Sequence, residues 1–263
     1  YYCFGCGKGG NVITFVMDYE NESFQEAVAS LAERAGIELP QEEESEESRR
    51  QADYRSILFS IQKEAALYFY HQLMSENGKR GYLYLRSRGL SDETIKNFGL
   101  GYANQYPDDL YRFLRQKGFS DAQLKDSGLV KIDERGCYDK FWNRVMFPIM
   151  DINNKVIGFG GRVMGEGEPK YLNSPETPIF EKNRNLYGMH VAKRNRKPYF
   201  LICEGYMDVI SLHQAGFTNA VASLGTAFTV QHGLLLKRYT KEVVLTFDSD
   251  GAGIKAALRA IPI

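Results

Sequence analysis

No apolar run in this 263-residue sequence approaches the length of a membrane span, and no charged-then-apolar leader opens it. The expected location is therefore cytoplasmic. An excess of charge of either sign is missing too. Lys and Arg number 33 against 33 Asp and Glu, so the sum alone offers no electrostatic case for a nucleic-acid partner. Cysteine is scarce. Of the four, only Cys3 and Cys6 are spaced to act together; Cys137 and Cys203 are single thiols in strand-like contexts and are expected to pack. The four histidines carry no chemistry. His71 has no second ligand nearby and is expected on the packed face of a helix. His190 has no assigned role, His213 fits a packing face with Val209 and Leu212, and His232 follows a cap at Thr229. The rest of the composition, 43% hydrophobic and 25% charged, is that of a globular chain with room for one or two domains.

The zero sum hides an uneven distribution. Gln41 to Ser48 holds five Glu and no base, whereas Lys140 to Lys197 holds eleven Lys or Arg against five acids. A basic stretch of that kind can attract phosphates in a neutral chain.

Taken in order, Cys3-Phe4-Gly5-Cys6-Gly7 sets two thiols on a tight turn, which is two of the four ligands a closed zinc site needs. The strand-then-helix context of a redox pair is missing. Ser23 and Glu26 form a capping box ahead of the stripe Ala27, Val28, Leu31, Ala32 and Ala35, and Gly36 ends that helix. Pro40 to Ala52 reads as an acidic linker, helical in its second half. The spacing predicts a helix over 54–74 with Ile57, Ile61, Ala65, Tyr68 and His71 inward. A further helix over 79–88 ends at Gly89, and Ser91 and Ser120 cap two short ones. Strands begin near Leu129. Residues 144–151 and 156–162 flank the turn Asn153-Asn154-Lys155 and predict a hairpin. Its glycines permit close approach of the backbone to a ligand or another strand.

The stretch 199–256 organises the rest. Apolar strands over 199–203, 220–222 and 243–247 alternate with helical segments, which predicts a parallel sheet covered on both faces. Ligands of such sheets sit beyond the carboxyl ends of the strands. Glu204 follows the first strand; Asp248 and Asp250 follow the third. Two carboxylates one residue apart on a turn can share one divalent cation, a hard ion that prefers oxygen ligands. A third acid on a neighbouring strand strengthens that reading, because like charges are otherwise crowded without a counterion.

Glu204-Gly205-Tyr206-Met207-Asp208, Ser223-Leu224-Gly225-Thr226-Ala227 and Phe247 to Gly253 closely resemble the Toprim domain of bacterial DnaG-type DNA primases. The rest of the chain agrees in family order. Residues 2–15 resemble the second half of the primase zinc-binding domain. Asn143 to Ile149, Gly158 to Arg162, Lys170 to Thr177 and Leu186 to Gly188 resemble the basic half of the RNA polymerase domain. The resemblance implies a zinc-ribbon remnant over 1–40, a linker over 41–52, a mixed α+β basic subdomain over 53–197 and an incomplete α/β Toprim subdomain over 198–263. Both ends are read as cut. A first zinc-ligand pair is expected upstream, and a further acidic motif and a helicase-binding region are expected downstream. Without a last strand, the parallel sheet is expected to expose an edge and apolar surface, and so to be less stable than the completed domain.

The implied activity is synthesis of RNA primers on single-stranded DNA from ribonucleoside triphosphates, through an RNA–DNA hybrid and with a replicative helicase as partner. Asp248 and Asp250 would hold magnesium or manganese. Glu204 would be a general acid/base or a further metal contact, and Asp208 an additional ligand or a supporting acid. Arg144, Arg162, Lys170 and Tyr171 are expected in the template and nucleotide groove, where Tyr171 could instead only pack. Gly225 and Thr226 are expected to line the metal-phosphate site, and Cys3 and Cys6 to bind zinc. Two rivals remain open. Another Toprim enzyme, a topoisomerase or nuclease, would share the acids but not the prelude before them. A non-catalytic DNA-binding Toprim protein would not need all three acids.

Overall fold

The computed structural model describes every residue except 6, 8, 21–23, 40–45 and 135. The expected Ser23 cap, the Cys6 thiol and residues 40–45 of the acidic linker lie outside the described residues. The chain divides into two compact units, Tyr1–Gln51 and Ala52–Ile263.

The first unit carries helices α1 (Val12–Glu20) and α2 (Phe24–Ala35) behind a tight turn. In that turn the Gly7 N–H donates to the Cys3 carbonyl at 2.8 Å. Asn11 starts α1, its Oδ1 accepting the Thr14 N–H at 2.9 Å. Gly36 stops α2 at φ 64°, and the Ile37 N–H then reaches back to the Ala32 carbonyl.

The second unit opens with most of a long helix, α3 (Glu46–Met74). It starts eight residues before the position predicted from apolar spacing. Glu46 and Glu47 sit in the first turn, where carboxylates favour the helix dipole, and Glu46 pairs with Arg50 at 3.0 Å. Its inward face also differs from the prediction. The buried stripe is Leu58, Ile61, Ala65, Phe69 and Leu73, while Ile57 and Tyr68 are half-buried flanks and His71 is exposed. The face rotates because Leu58, Phe69 and Leu73 bury more apolar area than Tyr68 and His71 could, at about 1.5–3 kcal/mol for each fully buried side chain.

Next come α4 (Lys79–Ser87), α5 (Asp92–Asn97), β1 (Gly101–Ala103), α6 (Asp109–Gln116), α7 (Asp121–Asp126), β2 (Val130–Asp133) and β3 (Gly136–Asp139). Ser91 caps α5, and Ser120 with Gln123 closes a capping box on α7, as the sequence predicts. The hairpin follows as β4 (Arg144–Met150) and β5 (Val156–Val163), then β6 (Tyr171–Asn173). Asp151 holds its turn by accepting the Asn153 and Lys155 N–H groups, and Asn154 takes the left-handed conformation at φ 63°. These strands form an antiparallel sheet of order β1-β4-β5-β6. Alternation along β4 sends Val145, Phe147 and Ile149 into one core cluster and Met146 into another, so the strand is buried on both faces.

The chain ends in α8 (Met189–Ala192), β7 (Tyr199–Cys203), α9 (Tyr206–Gln214), β8 (Ala220–Ala222), α10 (Val230–Lys237), β9 (Glu242–Leu245) and α11 (Gly251–Ala260). The three strands form the predicted parallel sheet, in the order β8-β7-β9. One core cluster joins Phe147 and Ile149 of β4 to Leu201, Tyr206, Val209 and Ala220, so the two sheets share an interior. Strand β9 is an edge whose Val243 and Val244 stay exposed. His213 and His232 pack as expected: His213 Nε2 meets the Ala220 carbonyl, and His232 sits wholly buried beside its Thr229 cap. Cys203 is buried and Cys137 half-buried. Among the described residues, no helix is long and apolar enough to cross a membrane.

Candidate active site

Strand β7 ends at Cys203 and α9 begins at Tyr206, so Glu204 and Gly205 make the whole turn between them. Parallel pairing sets the end of β9 beside the end of β7, and the register carries Thr246 on to donate its N–H to the Ile202 carbonyl at 2.9 Å. Two residues later the Asp248 N–H donates to Glu204 Oε1, also at 2.9 Å. The acids of two strands are thus tied together by a backbone hydrogen bond. Asp250 caps α11, its Oδ1 accepting the N–H groups of Ala252 and Gly253 at 2.9 and 2.8 Å. Gly253 is required at this contact. A Cβ there would strike the Asp248 carbonyl and stand 2.6 Å from Glu204 Oε1.

Asp208, in the first turn of α9, accepts the Gly205 N–H at 3.0 Å. Burial pushes its carboxyl above the usual range; the Gly205 N–H opposes that, the Asp248 charge adds to it, and Arg88 pulls it back. Asp208 therefore lies within electrostatic reach of both Asp248 and Arg88.

A second group of residues forms a wall on β5 and β6. Arg162 pairs across the sheet with Tyr171, and Gly160 with Asn173. The Arg162 guanidinium lies 4.3 Å from the centre of the Tyr84 ring. Tyr171 keeps 38% of its surface exposed, and Lys170 is exposed beside it. Tyr206 joins this wall to the parallel sheet. Its hydroxyl donates to Asn173 Oδ1 at 2.7 Å, and its ring stacks on Phe147 at 5.2 Å. Asn173 Nδ2 donates in turn to the Leu224 carbonyl at 2.8 Å. Gly160 makes room for that ring, since a Cβ would stand 2.5 Å from it. The close approach expected of this glycine is thus to a side chain of α9.

Arg144 does not stand on the open wall. It is 6% exposed, and its Nη1 donates to the carbonyls of Gly161 and Pro169. Burial within β4 turns its charge inward to backbone oxygens. Gly225, at φ 70°, and Thr226 follow β8 in an exposed loop. Thr226 shares a cleft of about 310 Å³ with Glu204, and Gly225 packs against the Asn173 amide.

Three residues of the wall were not foreseen from sequence: Tyr84, Arg88 and Asn173. Arg88 carried no signal beyond closing a helical run, and Asn173 lay inside a recognisable segment without a role.

Among the described residues, no three His, Cys, Asp or Glu side chains converge closely enough to enclose a metal ion. The donor chemistry nonetheless suits magnesium or manganese, which take oxygen ligands and keep several waters. Both oxygens of Asp248, and the second oxygens of Glu204 and Asp250, accept no hydrogen bond from described residues. In the first unit Cys3 is exposed.

Three protein-family models match the chain: a CHC2 zinc finger over residues 1–47, the DNA primase catalytic core N-terminal domain over 68–193, and a Toprim domain over 199–263. The chain is 46% identical to the DNA primase of Clostridium acetobutylicum over all of its own length, and 42% identical to that of Escherichia coli over 99%. It spans less than half of those relatives, 44% and 45% respectively. A DnaG primase catalytic domain bound to ssDNA superposes with a TM-score of 0.74 at 41% identity, covering 80% of this chain and 67% of that one. The zinc-binding and RNA polymerase domains of the Aquifex aeolicus primase match with a TM-score of 0.72 at 35% identity, covering 99% and 63%.

Proposed function

The chain belongs to the DnaG primase family, and on that premise we propose that the protein it comes from joins ribonucleotides into short primers on single-stranded DNA. The observation that carries this reading is the hydrogen bond from the Asp248 N–H to Glu204, which ties together the acids at the ends of two neighbouring parallel strands. Asp248, Asp250 and Glu204 would hold magnesium or manganese, which when bound neutralises phosphate charge and acidifies the attacking hydroxyl.

The chain's own side chains supply the remainder. Arg162, fixed by its contact with Tyr84, and the exposed Lys170 offer cations to phosphates. Tyr171 offers a half-exposed ring on which a base can stack. Arg144 supports that wall from beneath through the Gly161 and Pro169 carbonyls. Asp208 adds negative charge behind Glu204 and orients the turn through Gly205. Gly225 keeps the loop after β8 close to Asn173, so that Thr226 can line the phosphate side.

The proposal includes a zinc module over 1–40 in which Cys3 and Cys6 would supply two ligands, an acidic linker over 41–52, and a catalytic body divided near residue 198. The partners proposed for the whole protein are single-stranded DNA, ribonucleoside triphosphates, the RNA–DNA hybrid and a replicative helicase, in the cytoplasm.

The test is ribonucleotide incorporation on single-stranded DNA by the full-length protein with magnesium or manganese, beside Glu204→Gln. Primers made by the parent and lost in the variant are expected. Relaxation or nicking of supercoiled DNA without primers would move the site to another Toprim chemistry. DNA binding with neither activity would leave a binding module.

A further inference from the structure

A cleft of about 310 Å³ opens beside Glu204. The ends of all three parallel strands line it, through Cys203 and Glu204 after β7, Ser223 after β8 and Phe247 after β9. It is therefore the crevice beyond the carboxyl ends of the strands, where open α/β sheets take ligands.

The far wall of this cleft is one face of α11. Ala252, Ala256 and Arg259 line it, at spacings of four and three residues that superimpose them along a helix. Two alanines leave the room, and the arginine closes its end. Arg259 is exposed, and it makes no ion pair, hydrogen bond or ring contact with any described residue. Ser223 and Thr226 bring hydroxyls to the cleft and are likewise unengaged by described residues. A guanidinium and two hydroxyls facing a carboxylate across a small cleft form a donor set for an anion that itself arrives with a cation, which describes a metal-bound phosphate.

We propose that this cleft binds the terminal phosphates of a ribonucleoside triphosphate, or the pyrophosphate released from it, and that Arg259 is the residue that positions them. The inference rests on the primer-synthesis reading for the identity of the nucleotide. It adds a phosphate subsite beside Glu204, lined by residues other than Arg162 and Lys170. Growing charge on the leaving group would be met there by a donor already in place.

The experiment uses the full-length protein with Arg259→Ala and Arg259→Lys. Binding of GTP and of inorganic pyrophosphate, each with manganese, is read by calorimetry without turnover. KM and kcat for ribonucleotide incorporation, affinity for single-stranded DNA and thermal stability are read alongside. For Arg259→Ala, GTP binding and KM should weaken about tenfold, the scale of one lost charge-assisted hydrogen-bond pair. DNA affinity and melting temperature should hold, and Arg259→Lys should recover part of the loss. Weakening of both ligands assigns the cleft to the bound triphosphate; weakening of pyrophosphate alone assigns it to the departing product. Parental binding of both ligands by Arg259→Ala overturns the proposal. So does a loss matched by a fall in melting temperature, or a loss of DNA affinity with KM unchanged, which would give the cleft to the template. A parent that makes no primers would overturn the functional reading while leaving the binding comparison readable.

Discussion

Asp139 and the acids at the ends of β7 and β9 are carboxylates in opposite settings within one body. Asp139 is 6% exposed, and each of its oxygens accepts a backbone N–H at the start of α6, from Leu110 and Tyr111, both at 2.8 Å. Burial pushes its carboxyl up to about 7, against those two donors, and the charges of Asp109 and Asp108 push the same way as burial. Glu204, Asp248 and Asp250 are exposed at neighbouring strand ends and keep oxygens that no described group engages. An acid whose lone pairs are spent on a helix start is a fastener. Acids held together with lone pairs unspent call for a counterion from outside.

Exchanging the two settings should separate activity from stability. Asp248→Asn should lower primer synthesis at least about a thousandfold, as expected when a group facing developing phosphate charge is lost. Its melting temperature in metal-free buffer should match or slightly exceed the parent's, because the Asp248 side chain makes no hydrogen bond with described residues to lose and its charge adds only repulsion to nearby acids. Asp139→Ala should do the reverse. It strands the Leu110 and Tyr111 N–H groups and should cost about 2–4 kcal/mol in denaturant unfolding, with specific activity of the folded fraction preserved.

A smaller effect should come from manganese alone. At about a hundred times its dissociation constant, it should stabilise the parent by about 2.7 kcal/mol. The shift should vanish in Asp248→Asn and survive in Asp139→Asn; a shift retained in both would place the ion elsewhere.

The smallest effect is in pH. The carboxyl of folded Asp139 sits near 7, above its ordinary value of 3.8, so the folded state keeps a proton that the unfolded state releases. Its contribution is present below about 3.8 and is lost as pH rises towards 7. Asp139→Asn should flatten the fall of stability across that window in a series of denaturant curves. An unchanged slope would show the carboxyl to be ionised in the folded state.

The parallel sheet was legible because its strands are short apolar runs bounded by acids and glycines. Tyr199–Cys203 and Ala220–Ala222 lie where the pattern predicts, and so do the caps at Ser91, Ser120 and Thr229. The inward face of α3 was read correctly at Ile61 and Ala65 and misread at Ile57, Tyr68 and His71, because a spacing rule cannot weigh Phe69 against Tyr68 without the surface each meets. Arg144 was read as a groove cation, since sequence shows a charge but not which way a strand buried on both faces will turn it. Asp139 carried no signal at all. Its role depends on α6, some thirty residues earlier, starting beside it in space.

By itself, the sequence determined most of the elements and their order, though not α1 or β1, together with the parallel sheet and the chemical kind of its acids. Those follow from local periodicity, from turn chemistry and from side-chain type, all of which act over a few residues. Only the tertiary structure decided which acids meet, that Tyr206 enters the space over Gly160, that Asn173 ties two sheets together, and that Arg259 closes a cleft beside Glu204. These are contacts across wide sequence separations, and they exist because burying two sheets in one core leaves each side chain a single direction in which to point.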